Sequence, residues 1–502
     1  MILLEHHDQL DLDQYRRVVS AHETIAVAPV LMERVDEGRR RMELDLAAGA
    51  SAYGVSTGLG YLGSVAIEPA DARAFQASIL RRGAGHDPPL PSEVVRGAML
   101  LRLVGFLSGW VGVTPALCRL LVDRLNDGWL PVVPSRGISS AGEVIALSHL
   151  FGTLVGEGEV LEAGEPVPAR RALAARGAAA YEPDIKEGIA LVNGAPLAPA
   201  LALWLAERAR RLLGEATVAG ALVVALTGGS MRPFSPRIGA LKGDPGQRHV
   251  HQQLGELLAG GADFRDAPQG PVSFRVLPQV HGAVVDLLDH LDAQLERELR
   301  AVTDSPLHLP RDGDEPEGFY PSGNFHAQAL SFLLDASAIA LTQVGNLSER
   351  RLHRLLDRRF SGLTDQLAIA PGRQTGLVFA HKSAIGMAVE NRILSAPASV
   401  HPLDTSAGQE DVQALALLAA EKLHRVLDNV ELIVSSELLA IRQAHHLSDV
   451  ALSPRLQRAV QRLAAAVPPI EADRRLTADV DAIRELVRAG ALGGFGSSES
   501  TA

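Results

Sequence analysis

Residues 327–355, AQALSFLLDASAIALTQVGNLSERRLHRL, and residues 410–443, EDVQALALLAAEKLHRVLDNVELIVSSELLAIRQ, decide the fold class of this chain. In both, Ala and Leu recur at helical spacing, and both runs are longer than an ordinary globular helix. Helices of that length bury their apolar faces against one another, so they predict a bundle. Shorter helices are expected at 94–107, 115–126, 144–155 and 284–300. Pieces compatible with β-structure fall only in the first third, around 130–133 and 158–161. The expected fold is therefore mainly α, a long helical bundle beside a smaller mixed α/β N-terminal lobe. The lobe is expected over 1–190, the bundle over 191–487, and a flexible Gly/Ser-rich tail over 488–502.

Composition narrows the function. At roughly 150 residues per domain, 502 residues suggest about three domains, but long helices can share one core. Lys and Arg total 48 against 59 Asp and Glu, and a net charge of −11 without a basic block sets aside nucleic acid and anionic membranes as partners. Cys118 is the single cysteine, which excludes an intrachain disulfide and Cys-based zinc or iron–sulfur sites and suits a reducing cytoplasm. The N-terminus, MILLEHHDQLDLDQYRR, lacks the basic region and apolar core of a signal peptide, so a cytoplasmic location is expected. The longest uncharged run, 188–206, contains Asn193, Pro196 and Pro199 and reads as a buried bundle helix, with no membrane span expected.

Loops dense in Gly, Pro and polar groups fall at 53–64, 83–91, 134–143, 268–282, 318–326 and 397–411, and chemistry is expected there. Within PSRGISSAGEVIALSH, residues 134–149, Ser140 precedes Glu143 by three positions just ahead of an apolar run, the pattern of a capping box. A helix start of that kind also suits an anion or an electrophile. Gly58, Gly60 and Gly63 spell GxGxxG, but no strand precedes them, so they read as a turn-rich loop. His249, His251, His281, His326 and His381 match no zinc spacing, and no metal site is expected.

Six blocks carry a stronger signal: AYGVSTGLG at 52–60, VVPSRGISSAGEVIALSHLFGTLVGEGEV at 132–160, KEGIALVNG at 186–194, PQVHGA at 278–283, GNFHAQAL at 323–330 and PASVHPLDTSAGQED at 397–411. Together they resemble the histidine, phenylalanine and tyrosine ammonia-lyase and aminomutase family, collinearly from about residue 45 to 445. The resemblance implies a mainly α homotetramer whose active sites each combine loops of three subunits. It also implies an internal electrophile made from Ala-Ser-Gly. There the glycine nitrogen attacks the alanine carbonyl, two waters leave, and the serine becomes a methylidene on an imidazolone ring.

At that triad the sequence departs from the family. Anchored on EVIALSH, the triad falls on Ser140-Ala141-Gly142, and Ala141 has no hydroxyl to eliminate. The loop is one residue shorter than the family's, so a shifted frame, Ser139-Ser140-Ala141, restores a central serine. It also puts a Cβ on the ring-closing residue, where cyclisation needs a tight turn. No cofactor is therefore expected, with a methylidene-imidazolone from residues 139–142 as the alternative.

Residue by residue, the resemblance implies Tyr53 as the base that takes the β-proton and Arg275 as the clamp on the substrate carboxylate. Asn193 would touch the reaction centre, Gln279 and Phe325 would line the cavity, and Glu410 would face the substrate's amine or side chain. Val272 stands where the family has a tyrosine, and Arg82 where histidine-specific members carry histidine. Arg82 opposite Glu410 would favour an acidic or strongly polar side chain. The expected function is elimination from a small amino-acid-like substrate without the imidazolone, by analogy in secondary metabolism. The alternatives are a non-catalytic family member acting as a binding or partner subunit, and a conventional imidazolone-dependent ammonia-lyase.

Overall fold

The computed structural model describes residues 1–262, 269–400 and 404–493. Helix dominates, as expected. Ser92–Phe106, Pro115–Asn126, Leu277–Glu298 and Gln328–Leu355 form where apolar spacing predicted them. The helix beginning at Val144 ends at Gly152 and continues as a 3-10 turn, Thr153–Val155. The helix expected from 410 starts only at Ala416 and runs to His446. Leu415, immediately ahead of it, is left-handed at φ 52°, which breaks the helix there, and Thr405 bridges back to Glu410 in the loop before.

The uncharged run 188–206 is a buried helical stretch broken in the middle. Glu187–Val192 ends at Asn193, whose backbone is extended, and Leu197–Leu226 begins after Gly194. A Cβ on Gly194, at φ 159°, would strike the Arg102 guanidinium, so only glycine fits the break. Among the described residues, two stretches could by length and composition cross a membrane, Glu187–Leu226 and Gln328–Leu355. Their most apolar windows are 94% and 61% buried inside the fold, as core helices are.

Strand content among the described residues is four two-stranded ribbons. Glu159–Glu162 pairs antiparallel with Glu165–Pro168 within the expected region. A further hairpin, Leu307–Leu309 with Gly318–Tyr320, corrects the expectation that β-structure stops in the first third; three-residue strands are too short for alternation to register.

The chain forms two compact units, each assembled from separated stretches of sequence. The first comprises Met1–Trp204, Asp292–Phe332 and Ala398–Glu421; the second, Leu205–Leu291, Leu333–Pro397 and Lys422–Ala502. At the centre of the first lies Ser92–Phe106, buried from Val94 to its end. The second is built on long helices. Inside it the Arg351 guanidinium donates to both Glu437 oxygens, at 2.6 and 2.8 Å, while the Ser348 hydroxyl donates to the same carboxylate at 2.5 Å. Arg488 closes the Thr477–Arg488 helix, and residues 494–502 of the expected tail lie outside the described residues.

Candidate active site

A cavity of about 480 Å³ opens in the first unit. Tyr53, Arg82, Ala141, Asn193, Phe325 and Glu410 all line it, drawn from five separate loops and the end of one helix. Ile79, Val144, Ile189 and Val192 supply apolar wall.

Tyr53 is held by the glycine-rich loop that follows it. The Gly60 amide donates to the Tyr53 hydroxyl oxygen at 2.6 Å. A Cβ on Gly63 would lie 3.0 Å from the Tyr53 ring, so the loop can lie against the ring only because that position is glycine. The GxGxxG pattern is thus a turn-rich loop, as expected. Burial holds the Tyr53 phenol above its ordinary value near 10, and the charge of Glu410 adds to that, while the Gly60 amide opposes it. Glu410 is itself fixed, accepting from the Thr405 hydroxyl at 2.7 Å and the Ser406 hydroxyl at 2.9 Å. It sits in a loop and not at a helix start, so a dipole does not account for it.

The Ser140–Glu143 capping box does not form. Ser140 makes no capping bond, and its hydroxyl oxygen is buried without a hydrogen-bond partner among the described residues. Glu143 turns into the left-handed region, at φ 55°, and its carboxylate accepts from the amides of Leu197 at 2.7 Å and Ala198 at 2.8 Å. It therefore caps a different helix, Leu197–Leu226, whose first amides have no intrahelical acceptor. Burial pushes the Glu143 acid up to about 8, against the opposing pull of the two amides.

Beside it, Gly142 adopts φ 65°, and a Cβ there would collide with the Asn193 side-chain oxygen. The Gly194 amide donates to the Gly142 carbonyl at 3.0 Å, tying the 139–142 loop to the Asn193 turn. Asn193 is nearly buried; its side-chain amide donates to the Ser305 carbonyl at 2.8 Å. Its own carbonyl accepts from Arg102 at 2.5 Å. Arg102 also bonds the Ala190 carbonyl and pairs with Asp304 at 3.0 Å, and Lys186 pairs with the same carboxylate at 2.5 Å. This buried network fixes the Asn193 turn under the cavity. Sequence reasoning missed Arg102, Lys186, Asp304 and Ser305. The available signal was a charge inside an apolar helix, as at Arg102.

Val272, Arg275 and Gln279 belong to the second unit and do not line the cavity. Arg275 ends the short helix Val272–Arg275, and Gln279 lies in the first turn of Leu277–Glu298. The Arg275 Nε and the Gln279 side-chain oxygen are buried without hydrogen-bond partners among the described residues, while Val272 is exposed. Among the histidines, His281 is a core residue whose ring bonds the Thr217 hydroxyl at 2.8 Å. His249 and His251 face solvent and core respectively, as their spacing requires.

Residues 10–466 match the family model described as aromatic amino acid lyase. The histidine ammonia-lyase of Anaeromyxobacter dehalogenans is 36% identical over 98% of this chain and 99% of its own length. That of Aromatoleum aromaticum is 36% identical over 97% of this chain and 93% of its own. Among solved structures, the tyrosine aminomutase of Streptomyces globisporus superposes with a TM-score of 0.91 at 29% identity, covering 98% of this chain and 97% of that one. The histidine ammonia-lyase of Trypanosoma cruzi gives 0.87 at 28% identity, covering 98% and 94%. By class, then, the protein is a carbon–nitrogen lyase. The chain belongs to the aromatic amino acid lyase family.

Proposed function

We propose that the chain catalyses elimination from a small amino-acid-like substrate, with Tyr53 as the base and without a methylidene-imidazolone. The observation that carries this reading is Ala141, which lines the cavity together with Tyr53 and Asn193. The loop does not suit the ring. With Gly142 as the ring-closing residue, the left-handed turn and close approach to Asn193 both require glycine, but the central side chain then has no hydroxyl to lose. In the shifted frame Ser140 supplies the hydroxyl, and the attacking nitrogen belongs to Ala141, whose Cβ hinders closure.

The chemistry left to the side chains balances on its own. The Tyr53 phenolate takes the β-proton, the C–H electrons become the new double bond, and the leaving group departs with its bonding pair. With no electrophile to activate an amine, that group must be a weaker base than ammonia. Arg82 and Glu410 favour a polar or charged substituent on the substrate. The carboxylate clamp, Arg275, would come from a neighbouring subunit of a homotetramer. Supporting that assembly, the Val378–Leu394 helix exposes Phe379 by 65%, Val389 by 53% and Ile393 by 72%, an apolar face of the kind that subunits bury.

The intact mass of the purified protein tests the reading first. It should equal the sequence mass; a value two waters lower would overturn the proposal in favour of a conventional ammonia-lyase. A screen of carboxylic acids that carry, in place of the α-amine, a better leaving group on Cα then follows. Alanine at 141 and valine at 272 also favour a second reading, a non-catalytic partner subunit, which predicts no turnover of any of them.

A further inference from the structure

The second unit contains a cluster that the chemistry above does not use. Glu349 and His353 stand one helical turn apart on Gln328–Leu355, and His381 faces them from the first turn of Val378–Leu394. One ligand-type atom from each lies within 4.8 Å of both others. The His381 Nε2 and Glu349 Oε1 are already 2.8 Å apart, and the two imidazole rings lie 4.7 Å apart at 32°. The His353 Nδ1 is buried without a hydrogen-bond partner among the described residues. We infer that Glu349, His353 and His381 form a binding site for a divalent transition-metal ion of the zinc type, tying these two helices together.

The geometry is close to what such an ion demands. Bonds of roughly 2.0–2.1 Å in a tetrahedral site put ligand atoms about 3.3 Å apart, so small side-chain rotations close the cluster. Two imidazole nitrogens and one carboxylate oxygen select zinc, cobalt or nickel over magnesium or calcium. Arg350 bonds the other Glu349 oxygen, which leaves Oε1 for the metal and orients the carboxylate as an outer partner does. The cluster lines none of the cavities described above, so its role is to join two helices separated by residues 356–377. Sequence spacing concealed the site because its third ligand comes from another helix and its first two are not a zinc signature.

The test uses the full chain without a histidine tag, stripped of metal by a chelator and titrated with Co2+. The expected result is a saturable visible absorption band at one Co2+ per chain, displaced by Zn2+, with a rise in Tm that EDTA reverses. His353→Gln, His381→Gln and Glu349→Gln should each weaken binding by about 10- to 100-fold or more while leaving the metal-free circular dichroism unchanged. Absence of a saturable band, or a band that survives in any two of these variants, would overturn the assignment.

Discussion

The two units differ in where their backbone is irregular. In the first, seven of the described non-glycine residues are left-handed; Glu143, Lys186, Ser406 and Ala407 lie in or beside the segments that line the cavity, and His22, Ala163 and Leu415 lie elsewhere in the unit. In the second, only Gln366 and Leu367 are so placed among the described residues. Each such residue costs about 1–3 kcal/mol unless its surroundings hold it there. Buried charge follows the same division. Arg102 binds the carbonyls of Ala190 and Asn193 at the broken helix end as well as Asp304, whereas Arg351 and Glu437 join two regular helices. The first unit uses its buried polar groups to shape a cavity, and the second uses them to register a bundle.

Tyr53→Phe should break the contrast most sharply. Removing the base is expected to lower kcat/KM by about 10²–10⁴-fold, the usual contribution of a positioned general base, while Tm stays nearly unchanged. Activity that survived would show that Tyr53 only packs against its glycine loop.

Arg351→Met tests the other unit. It strands Glu437 in the core and should destabilise the protein by about 3–5 kcal/mol in urea unfolding, without lowering kcat of the enzyme that remains folded. A drop in kcat at full folding would mean that the pair serves the site.

Gly142→Ala combines the two effects on a smaller scale. A left-handed alanine that also collides with Asn193 should cost roughly 1–3 kcal/mol, and because it displaces the Asn193 turn it should reduce kcat more than the stability loss explains. Unchanged kinetics would remove Asn193 from the working site.

The smallest effect belongs to Glu410→Gln, read through pH. Tyr53 acts deprotonated, and burial together with Glu410 raises its pKa, so kcat/KM should climb about tenfold per pH unit from neutral toward pH 10. Removing the Glu410 charge lowers that pKa, and the limb should move toward neutral by less than about one pH unit. A limb that stayed put would mean the two groups are screened from each other.

Much of the fold was legible because helical periodicity is a local property. Of the 30-residue helix Leu197–Leu226, the sequence showed only the part inside the uncharged run 188–206, which ends at Glu207. The cavity was legible in part. Tyr53, Arg82, Ala141, Asn193, Phe325 and Glu410 converge, while Arg275 and Gln279 belong to the other unit of the same chain. Glu143 was read as a partner of Ser140 three residues away, and its actual partners are more than fifty residues downstream, because a buried carboxylate goes to the strongest unsatisfied donors within reach.

The sequence by itself determined the helical class, the family blocks and one covalent fact, that Ala141 carries no hydroxyl, since each is written in side-chain identity or short-range spacing. Tertiary structure alone decided which helix Glu143 caps, what holds the Asn193 turn, and that His381 meets Glu349 and His353. Those contacts join residues far apart in the chain, and chain spacing carries no information about which distant groups packing will bring together.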